Sequence, residues 1–138
     1  MPFTWKAEYS LGVAEVDSEH YRMIEMMNRL ELVEDRPAAL PVVWAVMNDL
    51  VDYINTHFKH EEALMRMSGY PLLADHQRQH EKFAEKVLDL RAQSTLEAGR
   101  IHEFLQQWLT EHILRVDRDY VPYVQAWLSR RDDAGGLE

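Results

Sequence analysis

His76 and His80 stand four residues apart, His57 and Glu61 repeat that interval, and single histidines occur at His20 and His112. Imidazole and carboxylate are ligand types that several transition-metal ions accept. A spacing of i, i+4 puts two such side chains on one side of a helix, where both can reach one ion. At about 100° per residue, His80 lies roughly 40° around the helix from His76, with Leu72, Leu73, Phe83, Val87 and Leu90 within about 60°. Glu61 lies roughly 40° from His57, beside Leu50, Ile54 and Leu64. His112 shares a stripe with Ile101, Leu105, Trp108 and Leu109, and His20 shares one with Ile24 and Met27. Glu62, about 140° from His57, is expected to face water. His60 and His102 fall about 60° and 80° off their stripes and are expected on the flank or surface.

A lone inward histidine is commonly a hydrogen-bonded core residue, and a single i, i+4 pair decides little. Five inward imidazoles and a glutamate are another matter. An apolar core would have to desolvate every one of these groups and find each a partner. One shared metal centre satisfies them together. Ligand type alone leaves iron, zinc and other ions open.

The elements that must position these residues are helices. Apolar residues recur every three or four positions, with only five glycines and five prolines in 138 residues. The fold class expected is all-α: an antiparallel up-down-up-down four-helix bundle with an N-terminal arm and a short C-terminal helix. One domain is expected over residues 1–138, with the arm at 1–16, the bundle over about 17–117, a C-terminal segment over about 118–130 and a tail at 131–138. Asp17 or Ser18 reads as the N-cap of a first helix reaching about residue 34. Asp35-Arg36-Pro37 ends that helix, and Pro41 suits the first turn of a second. Ser68-Gly69-Tyr70-Pro71 closes the second helix near Met67. A third covers about 72–92, Ser94–Glu97 reads as a capping box, and a fourth includes 101–112.

Composition narrows the function. A net charge of −9 repels phosphate backbones, which argues against a nucleic-acid partner. With no cysteine, disulfides, thiolate zinc sites, iron–sulfur clusters and thiol nucleophiles are all excluded. The chain opens without a basic and then apolar leader, and no apolar run reaches membrane-spanning length. A cytoplasmic protein with no membrane association is expected.

In order along the chain stand His20, then His57-Phe58-Lys59-His60-Glu61, then His76-Gln77-Arg78-Gln79-His80, then His112-Ile113-Leu114-Arg115-Val116-Asp117. This ordered set resembles the hemerythrins, specifically the single-domain bacterial hemerythrins, and the likeness extends over about residues 3–128. The resemblance implies two iron ions per chain. His76, His80 and His112 would hold one iron and His20 and His57 the other. Glu61 and Asp117 would bridge them, beside an oxo or hydroxo group. It implies reversible O2 binding for carriage, storage or delivery, with O2 taken up at the open iron and held as hydroperoxide. In that scheme the core carries about +1 both before and after uptake, so a dry pocket needs no counter-ion. Five neutral imidazoles and few carboxylates set this ligand pattern apart from the carboxylate-rich di-iron oxygenases.

Around such a centre Leu109 is expected to overhang the open position. Trp108, Met23, Ile24 and Phe58 would complete an apolar wall that excludes water, and Tyr120 would approach through its hydroxyl. The remaining methionines are expected as filler or surface. O2 is the expected ligand, and no catalytic residue is assigned. Alternative functions on the same residues are an oxygen or redox sensor and an enzyme acting on peroxide, nitric oxide or nitrite. No signalling segment is read after the bundle, which favours the carrier. One spacing conflicts with a regular helix: His112 and Asp117, five apart, differ by about 140°. Both can face one centre only if the chain makes a wide π-type turn or breaks between them.

Overall fold

The computed structural model describes residues 3–32, 40–92 and 98–136. Five α-helices follow in order, α1 (Ala14–Asn28), α2 (Leu40–Ser68), α3 (Leu73–Ala92), α4 (Ala98–Glu111) and α5 (Arg118–Gly136), and there is no strand among the described residues. Short 3-10 turns occupy Ala7–Tyr9 and Arg29–Leu32, and a π-helical turn, His112–Asp117, joins α4 directly to α5. The four main helices form the antiparallel bundle expected. No helix among the described residues is long and apolar enough to cross a membrane.

Each helix buries a stripe with the period of a helix face. In α2 the buried residues include Val43, Met47, Leu50, Ile54, His57, Glu61 and Leu64. In α3 they are His76, His80, Phe83 and Val87. The metal-type ligands thus occupy the same stripe as the core. One cluster of buried side chains includes arm residues Phe3, Tyr9, Leu11 and Val13 and residues of all four main helices, and reaches Tyr120 and Val124 in α5. Met26, Met27, Met47 and Met65 are filler within it, Met23 is buried there as well, and Met67 is exposed.

Several expected boundaries need correction. The first helix starts at Ala14, with Val13 as its N-cap, one turn before Asp17. Asp17 instead ties down the arm, accepting from the Leu11 amide at 2.8 Å, the Ser10 hydroxyl at 2.9 Å and the Gly12 amide at 3.3 Å. Gly12 has φ +82°, a conformation that costs other residues a steric penalty. The α-helix ends at Asn28 and tightens into the 3-10 turn, short of residue 34. Asp35-Arg36-Pro37 and the Ser94–Glu97 capping box lie outside the described residues. Gly69, at φ +75°, does terminate α2. Leu72 falls just before α3 and is 50% exposed, so it leaves the apolar stripe. The C-terminal helix is not short. It runs to Gly136, through most of the stretch expected as a tail.

His102 is the clearest miss among the histidines. It is buried, and its Nε2 donates to Asn28 Oδ1 at 3.0 Å. Asn28 also pairs with both backbone groups of Phe3 at 2.8 Å, so His102 helps lock the arm onto α1. Distance from the apolar stripe did not imply exposure, because α1 supplies a partner on that flank.

Candidate metal centre

Seven side chains from α1, α2, α3 and the π turn converge in the bundle core, all buried: His20, His57, Glu61, His76, His80, His112 and Asp117. They form two sets that share Glu61, and Asp117 of the first set also approaches His20 of the second. In the first, His76 Nε2 lies 3.0 Å from both Glu61 Oε1 and Asp117 Oδ1. His80 Nε2 is 3.1 Å from Glu61 Oε1, and His112 Nε2 is 2.9 Å from Asp117 Oδ1. His112 Nε2 also stands 3.1 Å from His76 Nε2 and 3.2 Å from His80 Nε2. The second set uses the other carboxylate oxygens. His57 Nε2 is 3.2 Å from Glu61 Oε2, and His20 Nε2 is 3.2 Å from Asp117 Oδ2 and 3.5 Å from Glu61 Oε2.

The π turn is what admits Asp117. With i→i+5 bonding, residues five apart come to stand roughly above one another. His112 and Asp117 therefore face the same point. Glu61 and His80 need no such device, since each follows its partner histidine by four residues on a regular helix.

Hydrogen bonding does not account for this cluster. Both ring nitrogens of His20, both carboxylate oxygens of Asp117, and the Nδ1 atoms of His57 and His76 are buried without a hydrogen-bond partner. Their close approaches are ion-pair distances without hydrogen-bond alignment. A neutral imidazole carries one proton, and His80 Nδ1 lies 2.9 Å from the Glu62 carboxylate, which takes a donor. His80 Nε2 then offers a lone pair toward His112. Converging lone pairs and carboxylates require protons or a cation.

The number of donors also bears on the ion. The five donors of the first set lie close together, and five exceed the four that a tetrahedral zinc site takes. The residues fit a transition-metal site whose two groups of donors share Glu61.

Without metal, protons do this work. Burial would lower the His57 imidazole, but the Glu19 and Glu61 carboxylates on either side outweigh it and raise its pKa to about 10. His76 is raised to about 9, where burial is likewise outweighed by Asp117 and Glu61. Burial opposes ionisation of Glu61, yet four imidazoles hold its carboxyl well below the usual range. Asp117 is also lowered, with burial and the Glu61 charge outweighed by His112 and His20.

The surrounding residues are placed as follows. The Tyr120 hydroxyl donates to Glu61 Oε2 at 3.2 Å, and burial pushes its pKa well up, so it stays a donor. Phe58 stacks on His80 with ring centroids 3.7 Å apart, and Trp108 stacks on His112 at 4.3 Å. Leu109, Met23 and Ile24 are buried. Trp108 is only partly buried, and beside it a surface depression of about 160 Å³ is lined by Gln79, Glu111, His112 and Arg115 among others. On that side the expected apolar wall is incomplete, because His112 itself lines the depression.

Two acidic residues were missed. Glu62, expected in water, is mostly buried and bonded to His80. Glu19 reaches both His60 Nδ1, at 2.5 Å, and His57 Nδ1, at 3.5 Å. His60 itself lies on the half-buried flank, within the flank or surface placement expected. The signal for Glu62 was available in the hairpin: folding the chain back at Gly69–Pro71 sets residue 62 opposite residues 77–80. A metal-binding imidazole also calls for an acceptor at its second nitrogen.

An all-α bundle with five imidazoles and two shared carboxylates at its centre defines a metal-binding helical protein. Sequence comparison matches residues 11–124 to the hemerythrin HHE cation binding domain. The chain belongs to the hemerythrin family. It is 34% identical over 140 residues to a bacteriohemerythrin of Stenotrophomonas maltophilia, covering 96% of this chain and 90% of that one. A bacteriohemerythrin of Clostridium acetobutylicum is 29% identical, covering 86% and 98%. A solved wild-type hemerythrin structure matches with a TM-score of 0.82 at 28% identity, covering 90% of this chain and 98% of that one.

Proposed function

We propose that the chain binds two iron ions and takes up O2 reversibly, as a carrier or store rather than an enzyme. The observation that carries this reading is the division of donors. Three imidazoles face one oxygen of each shared carboxylate, and two imidazoles face the other oxygens. His76, His80 and His112 would hold one ion and His20 and His57 the other, with Glu61 and Asp117 common to both. The two-imidazole position has one donor fewer, which leaves room for a small ligand. When bound, the iron pair supplies electrons to O2 and recovers them on release.

The chain's own residues set the conditions for that exchange. Tyr120 holds the Glu61 carboxylate in place through its hydroxyl. Phe58 and Trp108 cover His80 and His112 with aromatic faces, and Leu109 fills the core one turn before His112. These apolar surfaces limit water at the centre and so slow loss of the reduced state. The whole chain acts as one domain in this reading. The lack of cysteine suits a reducing compartment such as the cytoplasm.

The test is anaerobic loading with ferrous iron followed by O2 titration under visible absorption. Two irons per chain and a spectrum that reverses on deoxygenation are expected. One zinc per chain as the native load, or rapid multiple turnover of peroxide or nitric oxide, would refute the carrier reading.

A further inference from the structure

The two sets of imidazoles differ in what stands behind them. Glu62 Oε2 lies 2.9 Å from His80 Nδ1, and Glu62 Oε1 accepts from the Gln77 amide at 3.0 Å. Both oxygens of this carboxylate, carried on α2, are thus engaged by α3, and the side chain is only 20% exposed. Behind the two-imidazole set the support is looser. Glu19 stands 3.5 Å from His57 Nδ1 without hydrogen-bond alignment, while its other oxygen is held 2.5 Å from the flank residue His60. His20 Nδ1 has no hydrogen-bond partner, and neither has His76 Nδ1 in the three-imidazole set, so the difference between the sets lies at His80.

An imidazole that binds metal through Nε2 must carry its proton on Nδ1. A carboxylate at Nδ1 fixes that tautomer, holds the ring plane and makes Nε2 a stronger donor. The stacked Phe58 ring, 3° from parallel with His80, leaves the imidazole little freedom to tilt. Glu62 completes the restraint within the ring plane.

We propose that Glu62, braced by Gln77, is a positioning residue that locks His80 in its Nδ1–H form and makes the three-imidazole position the tighter, first-filled of two metal positions. This rests on the two-metal reading above.

The test is a stepwise Co2+ titration of the metal-free chain, followed by cobalt absorption, together with imidazole nitrogen NMR before metal is added. Wild type, Glu62→Ala, Glu62→Gln and the exposed control Glu85→Ala are compared. Wild type should take up two Co2+ in two resolved steps. Glu62→Ala should weaken the first step by about 10–100-fold, leave the second within a factor of about two, and shift the His80 Nδ1–H signal. Glu62→Gln keeps an acceptor oxygen without the charge, so it should retain the tautomer and recover part of the affinity. It carries the test should the alanine variant fail to fold. Glu85→Ala removes the same charge and should change nothing. Unchanged titrations for both Glu62 variants, or weakening confined to the second step, overturn the proposal while leaving two-metal binding intact. A wild-type chain that takes up no Co2+ refutes the metal reading and this proposal together.

Discussion

Replacing His80 by alanine removes one of the five donors of the three-imidazole set and unstacks Phe58. Four-ligand structural metal sites contribute about 10–16 kcal/mol, or about 2.5–4 kcal/mol per ligand. One ligand lost should therefore weaken that position by about 10²–10³-fold. Because metal binds the folded chain, the same free energy disappears from the stabilisation on loading. An unfolding entropy of about 2.1 cal/mol/K per residue over 138 residues gives about 290 cal/mol/K. A loss of about 3 kcal/mol then lowers the loaded melting temperature by about 10 °C. The assay is paired thermal unfolding of wild type and variant, each metal-free and loaded with ferrous iron under anaerobic conditions. The informative quantity is the gain on loading, since the cavity beside Phe58 affects both states of the variant. His60→Ala, on the flank, should keep the full gain. A His80→Ala chain with two irons and the wild-type gain would show that His80 is not a ligand.

The metal-free chain should respond to pH through His57 and His76, raised to about 10 and about 9. Their pairing stabilises the fold fully below the unfolded value near 6.5 and is lost as pH rises through 9–10. Metal-free stability should therefore fall from pH 7 to 10 in denaturant titrations, and a flat profile would refute the pairing. Near pH 7.5 loading should release about two protons per chain, read as a buffer-dependent binding enthalpy. Tyr120→Phe removes a buried hydroxyl donor to Glu61 and should cost about 0.5–1.5 kcal/mol in chemical denaturation without loss of iron. Leu109→Ala should cost about 2–5 kcal/mol as a core truncation, keep both irons and oxidise faster in air. An unchanged oxidation rate would leave Leu109 as core filler alone.

Most of the centre was legible because helical periodicity is a local property. His20, His57, Glu61, His76, His80 and His112 fall on stripes that a single helix defines by itself, and those stripes are buried. The misses share one cause. His102 and Glu62 depart from their own helix's stripe and find partners on another element, α1 in one case and α3 in the other. Asp17 carried a capping signal that served the preceding loop instead of the helix behind it. A helical wheel contains no neighbour, so it misjudges residues whose partners come from a second element.

Asp117 is the opposite case, a residue named by the family resemblance whose conflict with periodicity located an irregular turn. Its five-residue offset from His112 is wrong for an α-helix, and it stays wrong under any small shift of helix boundaries. Only a wide turn or a break in the helix could bring it to the centre, and a π turn spans His112–Asp117. The same turn starts α5 in a new register, which buries Tyr120 and Val124 and sends the Tyr120 hydroxyl to Glu61. A regular helix through this segment would swing Asp117 away from the cluster and rotate Tyr120 with it. One extra residue in one turn thus delivers both the second shared carboxylate and the hydroxyl that steadies the first.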